Sequence, residues 1–208
     1  MGSYSILDII ASFVIAGAVM LMIHKTNGFV RQTNLTTGSD LTVQKNLVTV
    51  IGMLEKDLRR IGYCPDPFMI SNPQASIVSA TAHGIKFITD VDNNGRGDGA
   101  VDTVEYSISD SLLLGRTPNK SDRMLYRKVT SPTSASRSAI AMSIGLTKFD
   151  FIYLNLNDSA LTVPIANLGQ IRSLQLSVEL ENPFPYDTVN TYAYWRQVRL
   201  AAKNLDTR

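Results

Sequence analysis

The sequence has few of the residues on which catalysis and cross-linking usually depend. It contains one cysteine, Cys64, and two histidines, His24 and His83. A single cysteine excludes an internal disulfide and leaves the redox compartment open. We find no G-x-S-x-G, Walker or dinucleotide-binding motif, and the histidines form no recognisable metal spacing or catalytic triad. These absences favour a protein that is not an enzyme.

Charge of either sign is also sparse and evenly spread. Lysine and arginine total 20 and aspartate and glutamate total 18, which gives a net charge of +2. Because no block of basic residues occurs, nucleic acid is not an expected partner. The 208 residues leave room for one anchor helix and one domain with a hydrophobic core of its own.

What the chain does have is a long apolar run close to its start. Ile6–Ile23 is an 18-residue apolar stretch interrupted only by Asp8 and Ser12. As a helix it would be about 27 Å long, enough to cross the hydrocarbon core of a bilayer. His24, Lys25 and Arg31 follow it, and the positive-inside rule alone would therefore keep the rest of the chain in the cytoplasm.

The beginning of this run carries a resemblance to a known family. Tyr4-Ser5-Ile6-Leu7-Asp8 resembles the Phe-Thr-Leu-Ile/Val-Glu signature with which type IV pilins and type II secretion pseudopilins begin their mature chains. Each replacement is conservative in size and polarity. The resemblance implies a single-pass protein of the bacterial inner membrane with its head in the periplasm. The resemblance also implies that the protein later joins an extracellular or periplasm-spanning filament.

The resemblance also implies which residues make the contacts between subunits. In such proteins the acid near the helix start meets the amino terminus of a neighbouring subunit, a role that falls to Asp8 here. Small residues allow close helix packing, which adds Ala11, Ala16 and Gly17. With Tyr4 and Asp8 from the signature, these are the expected assembly residues. The partners would be other pilin or pseudopilin subunits, after an initial stay in the inner membrane. Whether Met1–Ser3 is removed as a leader is left open.

The sequence of the next part of the chain predicts a helix that is weak at first and strongly amphipathic afterwards. Thr26–Gly38 is rich in Thr, Asn and Gly, which predicts a weakened or broken part of one long spine, and Ser39-Asp40 offers an N-cap. An amphipathic helix then follows and ends near Gly62. Its apolar stripe consists of Leu47, Val50, Ile51, Leu54, Leu58 and Ile61. The predicted domains are residues 1–30 (membrane or filament-core helix), 31–62 (continued spine) and 63–208 (β-rich head).

Beyond Pro67 the sequence alternates as β-strands do. The predicted strands are Gly84–Thr89, Val101–Ile108, Leu112–Gly115, Met124–Val129, Lys148–Leu154, Ile171–Leu180 and Tyr192–Leu200. Strands that follow a helix, rather than alternating with helices, predict an α+β fold. We expect a long N-terminal hydrophobic helix with a mostly antiparallel β-sheet head packed on its C-terminal half.

Three further segments resemble the larger minor subunits of the same family. Leu54–Tyr63, Asp90–Tyr106 and Val198–Asn204 are similar to J-type pseudopilins and W-type minor pilins. This resemblance implies a tip or priming role, although a main repeating subunit stays open.

One loop has the pattern of a calcium site. Asp90, Asp92, Asn94 and Asp98 occupy the first, third, fifth and ninth places of an EF-hand-like loop with Gly95 in sixth, and Arg96 would lend its carbonyl. A ligand is also expected at the twelfth place of such a loop, and Asp102 comes one residue after that place. The same composition is typical of a solvated turn between strands, so both interpretations stay open.

A second class of function is a membrane-anchored, adhesin-like binding module that does not polymerise. Tyr192, Tyr194 and Trp195 form an aromatic group that would suit a carbohydrate or surface contact, or cross-strand packing.

Overall fold

The computed structural model describes residues 2–66, 68–92, 101–109, 121–131, 137–182, 193–201 and 203–205, with the backbone alone for residues 2–5, 137, 193–195 and 203. By its internal contacts the chain divides into two units, residues 1–41 and 42–208. The described part of the first unit is entirely helical. The second unit contains the end of the same helix and all the strands that the structure describes.

Helix α1 is a continuous α-helix of 57 residues, Gly2–Leu58. The break considered for Thr26–Gly38 does not occur, and the N-cap at Ser39-Asp40 was wrong because both residues lie inside the helix. Poor helix formers cost only up to about 1 kcal/mol each, and every added residue contributes a backbone hydrogen bond. The Thr36 hydroxyl also donates to the Gln32 carbonyl one turn earlier, at 3.0 Å, which satisfies it within the helix.

α1 ends at Leu58, four residues before Gly62, and Gly62 ends the turn that follows the helix. Its φ of +71° lies in the left-handed region, and an added Cβ would meet Ser76 Oγ at 2.9 Å and the Pro73 carbonyl at 3.0 Å. Glycine is therefore required here for both conformation and space. The Gly62 amide donates to the Ile88 carbonyl at 2.9 Å, which joins this turn to the sheet.

Within the described residues the strands form one seven-stranded antiparallel sheet in which each strand pairs with the next along the chain. They are β1 (Ile77–Thr81), β2 (Gly84–Thr89), β3 (Asp102–Ile108), β4 (Arg123–Thr130), β5 (Arg137–Leu154), β6 (Ser173–Glu181) and β7 (Ala193–Ala201). The predicted α+β class with an antiparallel sheet is confirmed.

Two stretches of strand were not predicted. β1 was missed, and β5 begins at Arg137, eleven residues before the predicted Lys148. The first half of β5 is rich in Ser, Ala and Gly, which have little strand preference of their own; it is held as a strand by its pairing with β4. The predicted strand Leu112–Gly115 lies outside the described residues.

β5 is long because it pairs with two neighbouring strands. Its first half pairs with β4 and its second half with β6. Between them, the register of the β4 pairing shifts opposite Ser143 and Leu146, and Gly145 has a φ of +78°. This is a glycine-containing β-bulge, which bends the strand and increases its twist. The sheet curls as a result, and the Phe151 amide donates to the Ala82 carbonyl of the β1–β2 turn at 2.8 Å.

The core of the second unit lies between the end of α1 and this curled sheet. All six residues of the predicted apolar stripe are buried, and Val43 extends it by one turn. They pack against buried strand residues, the largest of which are Phe87, Tyr106, Phe149 and Tyr153. The predicted amphipathic helix is confirmed.

Candidate functional sites: an apolar helix and an acidic loop

The first candidate site is the apolar length of α1. Its most apolar 18-residue window has a mean hydropathy of 2.5 and no buried residue, so this helix is long and apolar enough to cross a membrane once. Large side chains are exposed on every side of it, from Ile6 (61% exposed) to Ile23 (55%). Such a surface is consistent with single-pass anchoring, since water would otherwise surround it.

The predicted assembly residues lie at separate places on this surface. Asp8, Ala11, Ala16 and Gly17 are all exposed, and nothing lies within 4 Å of a Cβ added to Gly17. At about 100° per residue, the three small residues fall on different sides of the helix. Close approach of another helix is therefore open from several directions. Tyr4 is helical, and its side chain lies outside the described residues.

Asp8 is the one ionisable group inside the apolar run. The Ser12 hydroxyl donates to the Asp8 backbone carbonyl at 2.7 Å, so the hydroxyl is satisfied within the helix. Among the described side chains none bonds the Asp8 carboxylate. In lipid an acid without a partner is costly, about 2.5–3.5 kcal/mol at the centre. The arrangement therefore favours a partner from outside this helix.

The second candidate site is the acidic loop after β2. Carboxylate oxygens of Asp90, Asp92 and Asp102 lie within 4.8 Å of one another. Asp90 and Asp102 are buried and Asp92 is exposed. The structure thus brings together three of the six predicted ligands. The other three, Asn94, Arg96 and Asp98, lie outside the described residues.

Backbone contacts position the two buried carboxylates. Thr89 pairs with Asp102 across β2 and β3, and Asp102 Oδ2 accepts a hydrogen bond from the Val91 amide at 3.0 Å. The Asp90 amide donates to the Tyr63 carbonyl at 2.9 Å. The loop is therefore held between the start of β3 and the turn that ends α1.

Arg60 brings a positive charge to this loop. Its guanidinium donates to the carbonyl oxygens of Asp90 and Val91, the latter at 3.2 Å, and it lies 5.1 Å from the centre of the Tyr63 ring. Among the described residues, three carboxylates and one guanidinium therefore meet at this loop. An all-oxygen donor set of this kind fits a hard cation such as Ca²⁺.

Cys64 lies at the edge of the same loop, with its Sγ 3.9 Å from Asp90 Oδ2. Desolvation raises the pKa of the Cys64 thiol, and the neighbouring Asp90 carboxylate acts in the same direction. The thiol is therefore neutral at physiological pH, whereas a nucleophile or metal ligand needs the thiolate.

A buried polar cluster was missed by the sequence reading. Asp57 Oδ2 on α1 accepts hydrogen bonds from the Tyr106 hydroxyl at 2.6 Å and from Arg127 Nε at 2.7 Å. Burial, with the Asp57 charge adding to it, raises the pKa of Tyr106 well above its ordinary value. A signal was present, because Asp57 is three residues after Leu54 and so lies beside the buried stripe.

A groove of about 750 Å³ crosses the sheet from the β1–β2 turn to the start of β4. Lys86, Glu105, Ser107 and Arg123 line it. His83 lies in the β1–β2 turn, and its Nδ1 is 2.9 Å from Asp150 Oδ1. Of the predicted aromatic group, all of Tyr192 and the side chains of Tyr194 and Trp195 lie outside the described residues.

No protein-family model matches the chain, and no curated protein matches it.

Proposed function

We propose that this protein is a structural subunit of a type IV pilus-like or type II secretion pseudopilus-like filament. It would be assembled from the bacterial inner membrane through the apolar length of α1, with its head in the periplasm before assembly. The observation that carries the proposal is the continuous helix α1, which has an exposed apolar surface containing a single acid, Asp8.

The energetics of that surface support polymerisation. Each large apolar side chain gains about 1.5–3 kcal/mol when it is removed from water, and a dozen such side chains are exposed between Ile6 and Ile23. Lipid can cover them in the single-pass state. In a filament the helices of neighbouring subunits cover them instead, and Ala11, Ala16 and Gly17 allow those helices to approach closely.

Asp8 would then fix the axial position of each subunit. A carboxylate in an apolar surrounding is stabilised by an opposite charge nearby, and the amino terminus of the adjacent subunit supplies one. The segments that resemble J-type pseudopilins and W-type minor pilins favour a tip or priming position within the filament.

The test is whether native filaments contain this chain. In immunogold electron microscopy of sheared surface material, an antibody against the head should label the filaments. Asp8→Asn should leave the protein in the membrane and lower its incorporation at least tenfold, whereas Asp8→Glu, which keeps the charge, should incorporate normally. Equal incorporation of Asp8→Asn and wild type would contradict the role of Asp8, and membrane-confined monomers in the wild type would contradict the filament.

A membrane-anchored binding module is the second candidate, and the groove beside Lys86, Glu105 and Arg123 is the observation that favours it. Its volume is within the usual range for small-molecule sites. In that case the head captures a ligand and the protein stays monomeric in the membrane, which the same microscopy would reveal.

The acidic loop would serve either function as a calcium site. Asp90, Asp92 and Asp102 would supply oxygens from the described residues, and the bound ion would tie the loop to the end of α1. At a hundredfold excess over its Kd, an ion that binds only the folded state raises the free energy of unfolding by about 2.7 kcal/mol.

Thermal unfolding of the full chain in micelles, with calcium added after chelation, measures this effect. We expect a rise in Tm that Asp92→Asn reduces and that Asp150→Asn, the removal of an acid outside the loop, does not. An unchanged wild-type Tm across the millimolar range would eliminate the calcium site while leaving the filament proposal intact.

A further inference from the structure

The segment after the apolar run combines cationic and apolar side chains. His24, Lys25 and Arg31 are exposed, and Phe29 is 70% and Val30 47% exposed. Within the described residues neither Lys25 nor Arg31 forms an ion pair. We call His24, Lys25, Phe29, Val30 and Arg31 the collar. Its charges are thus available to a partner outside the chain.

The collar surrounds the helix rather than marking one side of it. Lys25 and Phe29 are four residues apart and share one side, while His24 and Arg31, seven apart, share another. At about 100° per residue these two sides are about 130° apart, and Val30 points to the third. A single partner helix would contact one side only. A medium that encloses the helix would contact all three.

The position of the collar along α1 identifies that medium. Because the helix is continuous past Ile23, Lys25 lies about 3 Å and Arg31 about 12 Å beyond the last residue of the apolar run. The headgroup layer is about 5–8 Å thick on each side of the hydrocarbon core. Lys25 therefore falls within it, and the long Arg31 side chain can reach back to its outer edge.

We propose that the collar binds the headgroups of anionic phospholipids in the leaflet where the span ends. The Lys25 and Arg31 side chains pair with lipid phosphates. This inference rests on membrane insertion alone and does not depend on filament formation. It also gives Lys25 and Arg31 a role other than setting orientation.

The experiment is a lipid competition on the full-length protein. The protein is placed in vesicles of equimolar phosphatidylglycerol and phosphatidylcholine, released gently, and analysed by native mass spectrometry for retained lipids. We expect phosphatidylglycerol to be preferred, and Lys25→Gln with Arg31→Gln to lower the preference about fivefold per charge. The wild-type preference should also weaken as salt rises from about 0.01 M to about 1 M, because the Debye length falls from about 30 Å to about 3 Å.

Two double variants serve as controls. Lys25→Arg with Arg31→Lys keeps both charges and should keep the preference. Lys45→Gln with Arg59→Gln removes two exposed cations of the second unit and should leave it unchanged. Equal retention of both lipids by the wild type, or an equal loss in the two charge-removing variants, would overturn the proposal. Detection of protein dimers that show no lipid preference would also overturn it, since a second copy would then cover the collar.

Discussion

Helix α1 contains two lengths of similar secondary structure and opposite surroundings. Between Ile6 and Ile23 the apolar side chains face all directions and are exposed. Between Val43 and Leu58 most of them form one stripe that is buried against the sheet, and Val48 is the large apolar side chain that stays exposed. The second length finds its packing partners within its own chain, whereas the first must find them in lipid or in other molecules. The distribution of apolar residues around a helix, more than their number, thus separates an anchoring function from a structural one.

The sharpest comparison of the two lengths uses their aspartates. Asp57→Ala should lower the free energy of unfolding of the head by about 3–5 kcal/mol, because Arg127 would lose the partner of a buried ion pair. Asp8→Ala should leave that free energy unchanged, since Asp8 lies in the first unit. Denaturant unfolding of the full chain in micelles, followed by near-UV circular dichroism, measures both. Equal effects of the two substitutions would contradict the division of the helix.

Two leucines give the next comparison. Leu54 is 0% and Leu21 66% exposed. Leu54→Ala should destabilise the head by about 2–5 kcal/mol, because a cavity would remain in a close-packed core. Leu21→Ala should change head stability by less than about 0.5 kcal/mol. The same unfolding assay applies, and a tolerated Leu54→Ala would show that the second length is not part of the core.

Alkaline pH probes two buried hydroxyls, that of Tyr106, which donates to Asp57 of α1, and that of Tyr153, which donates to carbonyls beside the β1–β2 turn. Burial raises the pKa of Tyr106 and of Tyr153 far above their ordinary value of 10. Above pH 10 the unfolded chain releases these protons while the folded chain keeps them. Stability is therefore complete below the unfolded pKa and is lost as pH rises, by about 1.4 kcal/mol per pH unit for each tyrosine.

Tyr106→Phe and Tyr153→Phe should each remove one tyrosine's share of that slope. Urea unfolding at several pH values above 10 measures it. A stability independent of pH in the wild type, over this range, would mean that the two hydroxyls are not buried in the folded state.

The smallest expected effect tests the glycines of the first unit. Nothing lies within 4 Å of a Cβ added to Gly28, so Gly28→Ala should stabilise the helix by about 1 kcal/mol through propensity alone. Amide exchange of residues 26–38 should slow about fivefold, while exchange in the sheet stays the same. An unchanged rate would refute the predicted weakness of this segment.

Periodicity predicted most of the fold. The apolar run and the stripe from Leu47 to Ile61 were both identified because helix spacing and burial are directly linked. Strands with regular alternation, such as β2 and β3, were found for the same reason. The first half of β5 was not found, because its Ser and Ala residues become a strand through pairing with β4, and that is information from a distant part of the chain.

The candidate sites were predicted less completely. The acidic loop was identified from its composition, and three of its carboxylates do converge. The cluster of Asp57, Tyr106 and Arg127 was missed because charged residues are normally expected on the wet side. Its three members come from one helix and two strands, and only the tertiary packing brings them together.

The bulge at Gly145 limits how this protein can change in length. Side chains alternate along a strand, so one residue inserted or deleted after the bulge would exchange the two faces of the second half of β5. Phe149, Phe151 and Tyr153, which are buried now, would turn to the solvent together. Over evolutionary time, additions and losses of residues should therefore accumulate in the connections between strands, and β5 should keep a constant number of residues.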